Sequence, residues 1–453
     1  MLMTEFDLII IGGGPAGVAA AAAAASAGLE VALFDENPAG ADPSNRAAVP
    51  GLTSFLAHAV WGVADGYRID AVGPHGPITC SARALIVASG ATLRIVPFEG
   101  WTLPGVIDLV TAVKQAGASG SLAGGSTLVA GCGPWLAPVA AKTIEDGGKV
   151  DALVDLAGAA DWARALSALA GLPDILMQRL RWWRTIRRAG TPRYARSSIV
   201  RVEPAGGRLR ATLARCDADG RAIDTPFTTV LADRIVVGHG FMPATDITGL
   251  LRARHRYSRT AGGWIACADA EGRTSRALLY VTGAAAGIGA GDAAADHGTL
   301  VGLACALDLT HADSARLTGR IAAARGRYRR RAVFARATAN LVALRSGQVL
   351  GMTPETIVCR CEEVRRAEID AACDSGAHDM NQLKAWTRCG MGLCQGRLCG
   401  DIAGELLMHR VGAASRETVG RFTARTPLRP VMLEALTGDF DYSDIAIPQA
   451  APL

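Results

Sequence analysis

The chain has 453 residues, half of them hydrophobic and 5% aromatic, with 47 Lys and Arg against 42 Asp and Glu for a net charge of +5. That length exceeds what one hydrophobic core organises, so about three domains are expected. The charge excess is too small for a nucleic-acid footprint. The arginines bunch over 179–188 and 316–336, which read as solvated helix faces, and no DNA- or RNA-binding module accompanies them. The longest apolar helix candidate, 18–27, has half of the roughly twenty residues a membrane span needs.

Residues 7–11 (DLIII) read as a buried parallel strand. They run into Gly12-Gly13-Gly14-Pro15-Ala16-Gly17, a G-x-G-x-x-G turn. Gly12 permits the tight turn, Gly14 lets backbone approach a pyrophosphate, and Gly17 lets the following helix pack on the strand. The Ala-rich helix 18–27 would turn its amino end to the pyrophosphate, and Gly28 closes it. After the strand 31–34, Asp35 stands where an acid accepts hydrogen bonds from an adenosine ribose, with Glu36 beside it. An acid with no Arg behind it favours FAD or NAD over NADP. Residues 84–91 (ALIVASGA) resemble the strand that ends the first part of the FAD domain in two-dinucleotide-domain flavoproteins, which brings Gly90 to the cofactor.

Residues 97–106 are dense in turn formers and should be irregular. A second strand and glycine turn follow over 126–134, but Leu136 replaces the third glycine. The strand 150–154 ends in Asp155. These features indicate a second Rossmann-like domain that has kept its fold without NAD. The helical insertion 157–188 carries Trp162, Trp182 and Trp183 among arginines, as a docking face or as packing with snorkelling stems. Strands are expected over 198–212 and 225–231, and 233–240 should return the chain to the first domain. His239, at a strand end, is given no role. The last helix of the nucleotide domain begins in 283–298. There Ala284 occupies the position where flavoproteins of this architecture carry an Asp, and Asp292 is no obvious substitute. A basic helical link (303–350) and an extended tail (421–453) complete the chain.

Six of the eleven cysteines fall between 359 and 399: Cys359, Cys361, Cys373, Cys389, Cys394 and Cys399. Clustered thiolates hold zinc or an iron–sulfur cluster, and Cys-x-Cys is tight for a zinc knuckle. Zinc and free thiols packed as small hydrophobes are the competing readings. Two short helices, 362–373 and 380–386, lie between the pairs, with Cys373 as core. Gly390, Gly392 and Gly396 allow close backbone approach and amide hydrogen bonds to sulfide. The segment resembles the [2Fe-2S] domain of bacterioferritin-associated ferredoxin. That resemblance implies Cys359, Cys361, Cys394 and Cys399 as ligands, with Cys389 competing for the third place. Cys394 is preferred because the spacer from Cys361 then fits the small domain and Cys399 opens the next helix. The other five cysteines are scattered singly and no secretory leader is recognised, so a disulfide network is not expected.

Taken together, the chain resembles the flavoprotein α subunit of multi-subunit amine dehydrogenases: opine oxidases, hydrogen cyanide synthase, hydroxyproline dehydrogenase and archaeal-type proline dehydrogenases. The α subunit of heterotetrameric sarcosine oxidase is a more distant relative. The resemblance rests on Gly12 to Gly17, FEGWTLPGV (98–106), VGHGFMP (237–243), GRTS (272–275), GIG (287–289), GMGLCQGRLC (390–399) and FTARTPLRP (422–430). It implies an α/β fold: two Rossmann-like dinucleotide-binding domains of the FAD/NAD(P)-linked reductase architecture plus a small helical [2Fe-2S] domain. The expected division is 1–118 with 230–310 for the nucleotide domain, 119–229 for the second Rossmann-like domain, 311–350 for the linker, 351–412 for the [2Fe-2S] domain and 413–453 for the tail.

The resemblance further implies a partner β subunit, similar to D-amino acid oxidase, whose own FAD oxidises the C–N bond of an amino acid, opine or related amine. The catalytic residues would lie there, while this chain relays electrons. Further implied components are FMN at the interface and a small ferredoxin-like γ subunit. The expected place is cytoplasmic, with peripheral inner-membrane association through the complex as a variant. Two departures fall on the flavin half of the site: Ala284, and 39–46 (AGADPSNR), where relatives commonly carry Gly-Gly-Gln-Ile-Tyr-Arg. FAD is therefore only modestly ahead of NAD or ATP. The alternatives are a stand-alone NAD(P)H-dependent reductase and a scaffold or regulatory subunit holding a non-redox nucleotide.

Overall fold

The computed structural model describes residues 4–38, 49–119, 124–167, 173–223, 225–287, 292–310 and 314–437. The departure at 39–46 lies outside them. Among the described residues the first sheet has seven strands. Thr4–Ile11 is central, parallel to Val31–Asp35 on one side and to Gly76–Val87 on the other. It is a continuous apolar run because both sheet faces are covered. Leu8 and Ile10 pack under the helices Pro15–Ala25 and Asp292–Thr310, whereas Ile9 and Ile11 face a second core with Phe34, Ile69, Leu85 and Leu428. Alanine lets the two helices approach closely, and Gly298 and Gly302 lie against the backbone of Ala16 and Ala20. The long Gly76–Val87 strand serves two neighbours: its start pairs antiparallel with Ile69–Gly73 and its end pairs parallel with Leu279–Val281.

The second sheet is parallel, in the order Arg193–Ala195, Lys149–Asp155, Ser126–Gly131, Arg234–Gly238, Val106–Asp108. Two expectations are corrected by this order. Residues 106–108, counted with the first domain, and 234–238, expected to return to it, both belong to the second sheet. An apolar strand such as RIVVG suits either sheet. Here the antiparallel meander Ser197–Ala205, Arg208–Arg215, Thr228–Ala232 precedes it by a single residue, Asp233. Asp233 Oδ2 accepts from Ser126 N at 2.6 Å and fixes the turn beside the second sheet. The chain re-enters the first unit at Phe241–Pro243, which pairs antiparallel with Ala91–Leu93.

The insertion tryptophans are engaged internally. Arg179 lies 5.0 Å from the Trp162 ring centre and 5.4 Å from that of Phe334, and Arg193 lies 3.8 Å from that of Trp183. Trp182 and Trp183 also pack on the core around Leu136 and Ile186, so packing accounts for them. Among the described residues no helix is long and apolar enough to cross a membrane.

The cysteine-rich unit has its own core of Val358, Ile369, Leu383, Ile402 and Leu406 beneath the helices Arg366–Asp374, Met380–Thr387 and Gly400–Arg410. Buried charges bind it to the rest of the chain. Arg94, fully buried, donates to Asp401 at 2.9 Å, to Val342 O at 3.0 Å and to Gly262 O at 2.7 Å. Asp401 also accepts from Tyr257 at 2.9 Å and Arg416 at 3.2 Å, and Glu405 holds Arg259 at 2.5 Å. Beside Asp401, the Arg94 and Arg416 guanidiniums overcome the opposing effect of burial and keep its carboxyl below the usual range. The tail crosses both units as an extended wrap. Phe422 lies on Gly390 and Gly396, and the buried Leu428 donates its N–H to Trp61 O at 2.7 Å.

Candidate functional site

The first glycine turn opens onto a cavity of about 810 Å³. Gly12 has φ +110°, and a Cβ there would land on the Ala88 carbonyl oxygen, so the turn tolerates only glycine. A Cβ on Gly14 would meet nothing within 4 Å, which leaves its backbone facing open space. The helix Pro15–Ala25 starts there with neither a side-chain cap nor an acid in its first turn, so its amino end is available to a phosphate. Asp35, at the end of its strand, accepts from Gly13 N and from Asn37 N, the latter at 2.7 Å. Gly12, Gly14, Asp35, Glu36 and Gly90 all line the cavity. Pro15, Ala16 and Gly17 do not. Pro15 sets the first helical turn, while Ala16 and Gly17 are buried under it.

These residues fit the ADP half of FAD. The same cavity is also lined by the apolar and aromatic Val106, Ile107 and Trp101 and by the polar Asp108 and Thr111. Ala284 lies elsewhere, lining a separate cavity of about 630 Å³ with Trp135 and Phe241, and brings no acid to either. The Asp292 side chain lies outside the described residues. Sequence reasoning gave no role to three further lining residues: Arg360, Arg397 and Arg429. The signal for the first two was available, since each lies inside one cysteine pair.

The second glycine turn is filled by the chain itself. A Cβ on Gly133 would run into Val342, the last residue of the long helix Ser314–Val342. Leu136 is buried in an apolar cluster at the third glycine's place. Asp155, the acid at the strand end, accepts from Trp162 Nε1 at 2.8 Å and Ala157 N at 2.9 Å. Burial pushes its carboxyl up to about 6 against those hydrogen bonds. His239 is a packed residue: its Nδ1 accepts from Val96 N at 3.2 Å, and burial drives its pKa down to about 3, so it stays neutral.

Five cysteines converge beside the nucleotide cavity. The sulfurs of Cys359, Cys389 and Cys399, all buried, lie within 4.8 Å of one another. Hydrogen bonds from Cys389 and Cys399 drop the Cys359 pKa to about 2, and the Gly390 amide adds to them. Cys361, exposed, hydrogen-bonds with Cys394. Cys399 occupies the N-cap position of the helix Gly400–Arg410, as expected, and Cys373 is buried within Arg366–Asp374. Gly392 lies against Cys361 Cβ, whereas Gly390 and Gly396 make room for the Phe422 ring. A soft all-thiolate donor set of this kind suits a [2Fe-2S] cluster.

Comparison with known proteins agrees with both sites. Residues 357–409 match the BFD-like [2Fe-2S] binding domain, and residues 7–39 match the FAD dependent oxidoreductase family. The A subunit of opine oxidase from Agrobacterium tumefaciens is 30% identical over 96% of this chain and 92% of its own length. Hydrogen cyanide synthase subunit HcnB of Pseudomonas aeruginosa is 28% identical over 94% and 97%. Among solved structures, L-proline dehydrogenase from P. horikoshii shares the fold, with a TM-score of 0.68 at 19% identity over 96% of this chain and 80% of that one. Identity of this level along nearly the whole length, with the nucleotide turn and the thiol cluster both in place, means that the chain belongs to the family of opine oxidase A subunits, oxidoreductases with FAD and a [2Fe-2S] cluster as cofactors.

Proposed function

We propose that this chain is the electron-transferring subunit of a multi-subunit dehydrogenase or oxidase. A partner FAD subunit similar to D-amino acid oxidase oxidises the C–N bond of an amino acid, opine or related amine. The relatives supporting this reading are named as subunits of opine oxidase and hydrogen cyanide synthase. The observation that carries it is a shared wall: the cavity lined by Gly14 and Asp35 is also lined by Arg360, which lies between Cys359 and Cys361. When bound, FAD exchanges electron pairs and the cluster single electrons, so the two together convert one kind of transfer into the other.

This chain's residues supply binding and position. Asp35 takes the ribose hydroxyls, the Gly14 backbone and the helix start take the pyrophosphate, and Trp101 and Val106 exclude water from the far end. The cluster ligands are Cys359, Cys361, Cys394 and Cys399. Each has a hydrogen-bonding partner inside this set, Cys359 with Cys399 and Cys361 with Cys394. Cys389 then serves as a thiol donor to Cys359. Division of the chain into a nucleotide unit, a second Rossmann-like unit, a [2Fe-2S] unit and a tail is part of the same proposal, as are an interface FMN and a small γ subunit.

The test is a cofactor inventory of the anaerobically purified chain: released nucleotide by mass spectrometry, with iron and acid-labile sulfide on the same sample. Two irons, two sulfides and FAD per chain are expected. Zinc without sulfide overturns the relay. Cys394→Ser should lose the cluster's visible spectrum and Cys389→Ser should keep it; the opposite result reassigns the third ligand. The stand-alone reductase reading requires NADH to bleach the isolated chain, and the closed second turn opposes it.

A further inference from the structure

Among the described residues three arginines face the nucleotide cavity, and all come from the cysteine-rich unit and the tail. Two are already paired. Arg397 Nε donates to Asp246 at 2.8 Å, and Arg429 lies 3.0 Å from Glu36. Arg360 differs: among the described residues no carboxylate pairs with it, and its guanidinium lies 5.8 Å from the centre of the Trp101 ring. Trp101 in turn donates its indole N–H to Ile357 O at 2.7 Å, which pins this wall to the start of the Cys-x-Cys loop. One uncommitted cation therefore stands between the two thiols of a cluster pair and a cavity built for a dinucleotide.

Asp35 fixes the ribose end of such a ligand and Gly14 the pyrophosphate. Gly90 and Trp101 line the same cavity, which offers room for the rest of an extended dinucleotide. We propose that Arg360 holds the pyrimidine edge of the bound isoalloxazine, the end of FAD remote from Asp35, and so sets the ring against the Cys359–Cys361 loop. The proposal rests on FAD filling this cavity, as in the functional reading above. Reduction places negative charge at N1 and the C2 carbonyl, and protein charge near those atoms tunes the ring. A charge-assisted hydrogen bond to those atoms favours the reduced form more than the oxidised one. A guanidinium suits the task because its planar fork bonds adjacent acceptors while its face stays on an indole, which an ammonium cannot do. Because residues 359 and 361 are ligands, the backbone that carries the cation also carries the cluster, and the distance between ring and cluster is set by a single loop.

The test uses the full chain with its cluster, stripped of FAD and titrated separately with FAD and with ADP. ADP reaches Asp35 and the glycine turn but not Trp101. Arg360→Gln should weaken FAD about tenfold, leave ADP binding unchanged and leave iron and sulfide unchanged. Its flavin midpoint should fall by about 30 mV, the equivalent of tenfold for a two-electron couple. Arg360→Lys should fall between the two. Equal weakening of FAD and ADP, loss of iron, or unchanged FAD affinity and midpoint each overturn the proposal. If the unsubstituted chain binds ADP but no FAD, the functional reading fails and takes the proposal with it; unchanged FAD binding in Arg360→Gln sinks the proposal alone.

Discussion

The chain builds a glycine turn on each of two parallel sheets, and the two turns have opposite fates. At the first, Gly14 faces open space and Asp35 lines a cavity. At the second, Val342 lies against Gly133 and Trp162 holds the acid. Strand, turn, helix and terminal acid are present in both, so these elements alone do not make a nucleotide site. The surroundings decide it. The first turn is walled at a distance by the cysteine-rich unit, whereas the second is covered directly by the end of a helix 29 residues long. The cover is held in place from the first unit, since Arg94 donates to Val342 O at 3.0 Å and is itself paired to Asp401.

The largest expected effect comes from inserting the same side chain into each turn. Gly12→Val drives a Cβ onto the Ala88 carbonyl and should cost FAD at least about 3 kcal/mol, a hundredfold or more in affinity. Gly133→Val should leave FAD content unchanged and cost about 1–3 kcal/mol of stability through overpacking against Val342. Bound FAD and urea midpoints of both variants check the contrast. Equal loss of FAD would mean that the second turn also serves the cofactor. Next in size is the anchor of the cover. Asp401→Leu leaves the buried Arg94 without its carboxylate and Arg416 with Glu405 alone, and should cost about 3–5 kcal/mol. A loss under about 1 kcal/mol, the size of an exposed pair, would show that these charges do not hold the units together.

Much of this contrast was legible in the sequence, and the illegible parts have physical causes. The 7–11 run, the first turn and Asp35 are local features whose meaning does not depend on distant contacts, and they stand in the structure as strand, turn and strand-end acid. Leu136 signalled that the second site was altered. What closes that site was not readable, because Val342 approaches from far along the chain. The 234–238 strand was assigned to the wrong sheet for a related reason: an apolar parallel strand does not encode its neighbours, and the deciding contact is Asp233 with Ser126. The cysteine spacing showed a cluster without ranking its members, and Cys389, 0% exposed, has its sulfur within 4.8 Å of those of Cys359 and Cys399. Arg360 went unnoticed because its meaning comes only from the cavity it faces.

Asp155 supplies a pH test of the closed site. Its carboxyl is raised from 3.8 to about 6, chiefly by burial. A raised folded pKa gives stability that is complete below 3.8 and lost as pH rises through 6, on the order of 3 kcal/mol in all. Asp155→Asn should flatten the stability profile between about pH 4 and 7 relative to the unsubstituted chain. A profile that keeps its slope would assign it to another group. His297, lowered to about 4 by burial, tilts the opposite way over part of the same range, since it withdraws stability as pH falls below 6.5. The comparison must therefore be made between the two chains and not read from one curve.

The smallest effect isolates the hydrogen bond that keeps the acid occupied. Trp162→Phe removes the indole donor to Asp155 while retaining an aromatic ring under Arg179. Above about pH 7 the carboxylate is ionised and loses a donor it needs, at about 1.5–3 kcal/mol. At about pH 5 it is largely protonated and the same loss should fall to about 1 kcal/mol or less. The cost of Trp162→Phe should therefore grow with pH, and that growth should disappear when Asp155→Asn is already present. If the cost is the same at both pH values, the indole contributes by packing alone, and the second site is closed by bulk and not by satisfying its acid. Among the described residues the first site has no such side-chain donor. Its acid takes backbone N–H groups from Gly13 and Asn37, which leaves it further acceptor capacity toward the cavity.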